Sequence, residues 1–351
     1  MKTHKIFTIT ALVILFVGCG NDSEAKKDFF SLDFKNEKKA YTNADALSVL
    51  VNNKKDVSID SVTYFIGSER VSSSEEIKET SLTLANRKLG THKVVAKIYS
   101  DDETFEASKD VIILSSIKPH LYTYKILESY PHDIKSYTQG LEFENDTLYE
   151  SAGLYKQSAL RKLNYQTGDI LKEVKLADQY FAEGLTIMND KLYQLTYQEN
   201  TGFIYDLKDL KRTGTFVYGK SKEGWGLCND GEVIYKSDGT EKIWTLDPNT
   251  LAEDGHIEIY TNTSKIPKVN ELEWVEGKIY ANIYQKDAIA IVDPTNGAVE
   301  GVIDLGDLKD NVTQHKSLDV LNGIAYNGEP NILYITGKNW DKLFKVEIIR
   351  K

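Results

Sequence analysis

Tyr137-Thr-Gln-Gly-Leu141, Phe181-Ala-Glu-Gly-Leu185, Glu223-Gly-Trp-Gly-Leu227, Val269-Asn-Glu-Leu-Glu273 and Leu321-Asn-Gly-Ile-Ala325 are five versions of one phrase. They share a slot, filled by Gln139, Glu183, Trp225, Asn270 and Asn322, and the slots follow one another at 44, 42, 45 and 52 residues. A tyrosine stands ten residues after the slot in four copies (Tyr149, Tyr193, Tyr235, Tyr280) and twelve after it in the fifth (Tyr334). Constant spacing marks a structural unit. A slot that varies among chemically able side chains marks a site.

Each unit continues alike. A turn, a Leu-Tyr or Ile-Tyr strand and a third strand such as Ala288-Ile-Ala-Ile-Val292 follow the slot, with turns of the Asp293-Pro-Thr-Asn-Gly297 kind. Four units add a fourth strand, for example Ile170–Leu176, which the fifth lacks. Four short strands at this period predict propeller blades. Leu121–Leu127, a strand ahead of the first slot, supplies the piece missing from the fifth unit. The expected fold is all-β, a five-bladed β-propeller over 118–351 whose ring closes through that strand.

Residues 31–117 carry short alternating runs such as Ser61-Val-Thr-Tyr-Phe65 and His92–Tyr99. They predict a small Ig-like β-sandwich, without the cysteine pair of a true immunoglobulin domain and with no catalytic cluster, so a spacer. Residues 20–30 are polar and read as a tether. Ahead of them, Lys2 and Lys5 precede an apolar run from Ile6 to Val17, the pattern of a secretory signal over 1–19. Phe16-Val-Gly-Cys19 resembles a bacterial lipobox. That resemblance implies a lipidated Cys19 and a place in the bacterial cell envelope, held to the membrane by the lipid alone; a plain signal peptide is the alternative. The other cysteine, Cys228, lies in an apolar strand pattern, so we expect a buried small hydrophobe and no intrachain disulfide.

The net charge of -10 argues against a nucleic-acid partner, which would favour a basic face. The six histidines show no ligand spacing, which argues against a catalytic zinc.

Register converts the slot into a place. In a blade, the start of the first strand and the end of the second lie on the same face. Fourteen residues beyond the slot stand Gly153, Tyr197, Gly239 and Tyr284, and sixteen beyond the fifth slot stands Lys338. One mouth should therefore gather Gln139, Glu183, Trp225, Asn270, Asn322, Tyr197, Tyr284 and Lys338, the two glycines leaving room for a ligand. Each has a plainer reading. Gln139, Asn270 and Asn322 can be strand-entry residues, Trp225 packing, and Lys338 a solvated strand end. Glu183 is harder to dismiss, because nothing about strand entry calls for a carboxylate.

The strings Y-T-Q-G-L at 137–141, F-A-E-G-L-T at 181–186, E-G-W-G-L at 223–227, V-N-E-L-E at 269–273 and T-G-K-N-W at 336–340 resemble the plant and bacterial type of glutaminyl-peptide cyclotransferase. The resemblance covers about 120–351. It implies an aminoacyltransferase that converts the N-terminal Gln of peptides or proteins to pyroglutamate and releases ammonia. It makes Glu183 the acid/base, with Asn270 and Lys338 polarising the substrate amide beside Gln139. Tyr137, Tyr197, Trp225 and Tyr284 would line the pocket. Tyr137 replaces a common Phe, and Tyr197 and Tyr284 a common Trp, which predicts an altered pocket shape or rate. No cofactor is required, and the resemblance admits a structural calcium in the channel whose ligands the sequence does not locate. The rival readings are a non-catalytic lipid-anchored propeller that binds a partner, and a metal-dependent propeller hydrolase, for which Glu271 is one step out of register.

Overall fold

The computed structural model describes residues 29–101 and 103–351. The signal and lipidation readings at 1–19, Cys19 included, lie outside those residues, as does most of the tether. The chain divides into two compact units, one of 29–37, 47–82 and 93–110, the other of 38–46, 83–92 and 111–351.

Eight strands precede the repeat: β1 (Phe30–Phe34), β2 (Tyr41–Thr42), β3 (Ala46–Asn53), β4 (Ser61–Ile66), β5 (Glu69–Ser74), β6 (Thr80–Thr83), β7 (Gly90–Ser100) and β8 (Glu103–Leu114). They form a sheet β1-β3-β6 and a sheet β2-β8-β7-β4-β5. Leu47, Val49 and Val51 in β3, and Val94, Ala96 and Ile98 in β7, are buried on alternate positions. That period of two puts one face of each strand inward.

In the larger unit, β9 (His120–Pro131) leads into β10 (Thr138–Glu144), β11 (Thr147–Ala152), β12 (Ala159–Leu163) and β13 (Ile170–Lys175). Then come β14 (Ala182–Met188), β15 (Lys191–Thr196), β16 (Gly202–Asp206) and β17 (Arg212–Phe216). The third group is β18 (Leu227–Asn229), β19 (Ile234–Ser237), β20 (Lys242–Leu246) and β21 (Glu253–Glu258). Each group is a four-stranded sheet in sequence order. The rest are β22 (Val269–Val275), β23 (Lys278–Ile283), β24 (Ala288–Val292), β25 (Val299–Asp304), β26 (Leu321–Ala325), β27 (Ile332–Gly337) and β28 (Lys342–Arg350). With β9 they make one sheet, ordered β22-β23-β24-β25-β9-β28-β27-β26. β9 pairs antiparallel with β28 from Tyr122 to Pro131 and meets β25 in parallel only at His120–Tyr122. The strand ahead of the first unit therefore lies outside the last.

β10, β14, β18, β22 and β26 each touch the next, and β26 touches β10. The result is an all-β, propeller-like arrangement. The residue after the slot explains how these strands come so close. A Cβ on Gly184 would sit 2.6 Å from Gly226 Cα, and one on Gly226 2.3 Å from Asn270 O. Only glycine permits that approach. The repeat tyrosines pack between sheets. Tyr334 is buried edge-on to Phe143 at 4.8 Å, and Tyr235 stacks on Trp274 at 5.6 Å. Cys228 is buried in β18 as a small core residue.

Candidate active site

The slot is an irregularity in the strand ladder. Pairing skips between Thr138 and Gly140, Ala182 and Leu185, Val269 and Leu272, and Leu321 and Ile324. In the third unit β18 begins only at Leu227, beyond Trp225. A residue released from the ladder is free to aim its side chain, as bulges do beside active sites. A repeated backbone bond then fixes what faces it. The residue two before the slot accepts from the residue at the end of the second strand: Tyr137 O from Gly153 N at 2.8 Å, and Phe181 O from Tyr197 N, Lys268 O from Tyr284 N and Val320 O from Lys338 N at 2.9 Å each.

The eight residues predicted as catalytic or substrate-binding share one cavity of about 170 Å³, together with Phe181. Within it Glu183 is buried. Its Oε1 accepts from Gln139 Nε2 at 2.9 Å, while its buried Oε2 has no partner. Asn322 stands behind: its Nδ2 donates to Thr138 O at 3.0 Å and to Gln139 Oε1 at 3.2 Å. That bond fixes which end of the Gln139 amide faces Glu183. Asn322 thus orients its neighbour and does not line the cavity. Asn270 presents a second buried oxygen, Oδ1, without a partner.

Lys338 is buried, its ammonium 4.7 Å from the centre of the Tyr137 ring and 5.5 Å from that of Tyr284. Burial pushes Glu183 well above the usual carboxylate range; the Lys338 charge opposes the rise, and Glu223 and Glu199 add to it. Burial likewise lowers Lys338, against the pull of Glu183 and Asp319. Both groups are drawn from opposite sides toward the pH range where protons are exchanged.

The walls are aromatic. Phe181 meets Tyr137 at 6.2 Å, Tyr155 at 5.4 Å and Tyr197 at 5.7 Å, and Trp225 meets Tyr284 edge-on at 5.6 Å. Trp225 Nε1 donates to Glu223 Oε2 at 2.9 Å, and Gln198 Nε2 to the other oxygen at 2.9 Å. The Tyr137 hydroxyl, where Phe is common, donates to Asp319 Oδ2 at 2.9 Å, so the extra oxygen is tied down at the rim.

Two features differ from expectation. Gly153 and Gly239 leave room for protein, not ligand: a Cβ on Gly153 would sit 2.6 Å from the Phe181 ring, and one on Gly239 2.6 Å from the Trp225 ring. The glycines let those rings lie flat against the second strands. Phe181 and Glu223 were also missed, although both occupy the position two before the slot, where Tyr137 stands in the first unit.

Glu271, in the place of the slot glycine, braces neighbouring strands. Its Oε1 accepts from Leu141 N at 3.3 Å and its Oε2 from Ile324 N at 3.0 Å. Glu142 accepts from Ile187 N at 3.0 Å and Glu273 from Tyr326 N at 2.7 Å. These carboxylates are turned to backbone N–H groups of neighbouring strands. Among the described residues no group of three or more His, Cys, Asp or Glu could hold a metal.

Known proteins agree with the motifs. The glutamine cyclotransferase family model matches residues 95–348. The glutaminyl-peptide cyclotransferase of Arabidopsis thaliana is 39% identical over 228 residues, 64% of this chain and 71% of that one. The crystal structure of Myxococcus xanthus glutaminyl cyclase superposes with a TM-score of 0.62 at 32% identity, covering 67% of this chain and all of that one. The chain belongs to the glutamine cyclotransferase family.

Proposed function

We propose that this protein is a glutaminyl-peptide cyclotransferase, closing the N-terminal Gln of peptides or proteins to pyroglutamate. The observation that carries the reading is a buried carboxylate with one bare oxygen, Glu183 Oε2, in an aromatic cavity that also holds a bare amide oxygen and a buried ammonium. A hydrolase that forms a covalent intermediate needs a nucleophile; this reaction needs only a proton carrier and an oxyanion partner.

The substrate's α-amino nitrogen attacks the Cδ carbonyl of its own side chain. Holding both ends in a small cavity supplies much of the acceleration, since ring closure is intramolecular. As the C–N bond forms, the amine proton passes to Glu183 Oε2. Lys338 faces the developing oxyanion, where a positioned donor gains most as charge appears. Asn270 Oδ1 accepts an N–H of the substrate. Glu183, still held by Gln139, returns the proton to the departing NH2, the second C–N bond breaks, and ammonia leaves. A pKa raised by burial suits one carboxylate to both transfers. No cofactor enters these steps.

The same reading extends to architecture and place. Each four-stranded group is a blade, five in all, with β9 completing the fifth over 118–351. Residues 31–117 are an Ig-like spacer, and the signal over 1–19, with Cys19 lipidated, makes the protein a lipid-anchored lipoprotein of the bacterial envelope.

The test is incubation of the purified chain, in excess chelator, with a peptide that begins with Gln and one that begins with Asn. Ammonia release and pyroglutamate from the first alone are expected. No release at high enzyme concentration would return the protein to the class of non-catalytic binding propellers.

A further inference from the structure

A cavity of about 170 Å³ holds one residue-sized group and little more, so the remainder of a peptide substrate lies outside it. A second cavity, of about 480 Å³, opens on the other side of Tyr284, which lines both. Its lining is mainly apolar, with Ile266, Pro267, Ile283, Ala288 and Val302 among the residues that form it, and Lys268, Gln285 and Lys286 add polar ends. The shared wall is braced by two residues that line the second cavity. Lys268 Nζ donates to Gln285 Oε1 at 2.8 Å and lies 5.7 Å from the centre of the Tyr284 ring. Lys268 and Gln285 both adopt left-handed backbone, φ 65° and 64°, a conformation non-glycine residues keep only where their surroundings impose it. Elsewhere on the rim, Glu199 accepts from the exposed Tyr155 hydroxyl at 3.3 Å, and Glu223 holds Gln198 and Trp225.

We infer that the apolar cavity beyond Tyr284 is a specificity subsite, which takes an apolar side chain from one of the two residues after the N-terminal Gln. The inference rests on the cyclotransferase reading of the Glu183 cavity. A peptide whose first residue fills the small cavity must leave past its walls, and one residue advances an extended chain by about 3.3–3.6 Å. A single aromatic side chain separates the glutamine from a pocket of apolar character. Toward Glu199 and Glu223 the chain would meet carboxylates. A Leu or Phe entering the groove leaves water, and the gain appears mainly in KM.

The experiment is a scan of kcat/KM over Gln-peptides that carry Gly, Asp, Lys, Leu or Phe at the second and then the third position. The wild type and two variants are compared: Ala288→Phe, which fills the groove, and Val302→Glu, which charges it. Leu or Phe at one of the two positions should exceed Gly on the order of tenfold. Both variants should remove that preference while turning over Gln-Gly-Gly peptides within about twofold of wild type. If either variant fails to fold, the wild-type scan still decides. Equal kcat/KM for all side chains at both positions, from an enzyme that releases ammonia from them, overturns the subsite and leaves the activity standing. No ammonia from any peptide removes the activity and the subsite together.

Discussion

Glu150 and Glu183 are both buried carboxylates near a cation, and in each Oε2 accepts no hydrogen bond, yet what surrounds Oε1 differs. Glu150 Oε1 collects three donors, His132 Nε2 at 3.0 Å, Ser136 Oγ at 2.6 Å and Thr138 Oγ1 at 2.7 Å, and Arg161 stands 3.6 Å from Oε2. Glu183 Oε1 has a single donor, Gln139 Nε2 at 2.9 Å. Burial pushes both pKa values up. For Glu150, His132, Arg161 and the hydroxyls outweigh it and hold the group at about 2; for Glu183, Lys338 does not. A carboxylate with three donors and two flanking cations stays ionised and braces the fold, whereas one with a single donor can accept and return a proton.

Exchanging each carboxylate for its amide should separate the roles. Glu183→Gln is expected to lower kcat by roughly 10²–10⁴, the range for loss of an acid–base group, while shifting the melting temperature by only a few degrees. Near-normal turnover by that variant would falsify the assignment of the proton to Glu183.

Glu150→Gln should do the reverse. His132 Nδ1 faces Trp340 O at 2.8 Å and Nε2 faces Glu150, so both ring nitrogens meet acceptors and the ring is charged. Removing the carboxylate leaves two cations buried against a neutral amide, a loss of about 3–5 kcal/mol in denaturant unfolding. The folded fraction should keep its kcat within about tenfold. Glu150 is depressed when folded, so its contribution is present above about 4.3, the ordinary Glu value, and is lost as pH falls toward about 2. His132 is raised, its own burial notwithstanding, so its contribution is present below about 6.5 and lost as pH climbs through the raised value. The variant should lack the acid-side loss.

Lys338→Met tests the cation beside Glu183. Loss of an oxyanion donor should cost about 10²–10³ in kcat. The Lys338 charge also holds Glu183 down. Without it the acid limb of kcat/KM, set by ionisation of Glu183, should move to higher pH. A limb that stays in place, or moves down, would separate Lys338 from Glu183.

The two carboxylates were not equally visible in the sequence. Glu183 stood in a repeat slot, and repetition supplied both register and contrast. Tyr197, Tyr284 and Lys338 followed, because strand length fixes how far along the chain the facing position lies. Glu150 sits one residue after Tyr149 in an ordinary strand, its partners come from 11 to 18 residues away, and one of them, His132, is held in turn by Trp340 O. No spacing announces such a knot. The two glycines were misread for a related reason. A missing side chain shows that something approaches, and only packing shows that it is Trp225 or Phe181.

Trp225→Phe gives the smallest expected effect and the finest comparison. The indole N–H is the only polar contact of that ring to Glu223, whose carboxylate also holds Gln198. Phe keeps the aromatic face toward Tyr284 and forfeits one hydrogen bond to a charged acceptor, about 1.5–3 kcal/mol when such a bond is lost in a dry site and less at a half-buried one. The ring belongs to the cavity wall, so the loss should appear where substrate is held: KM up several-fold, kcat within about twofold, melting temperature almost unchanged. Had Trp225 been packing, in the manner of Glu150's knot, the same substitution would lower the melting temperature and spare KM. Measuring both quantities on one variant therefore decides whether the slot's largest side chain belongs with Glu183 or with the scaffold, and an unchanged KM beside a lowered melting temperature places it in the scaffold.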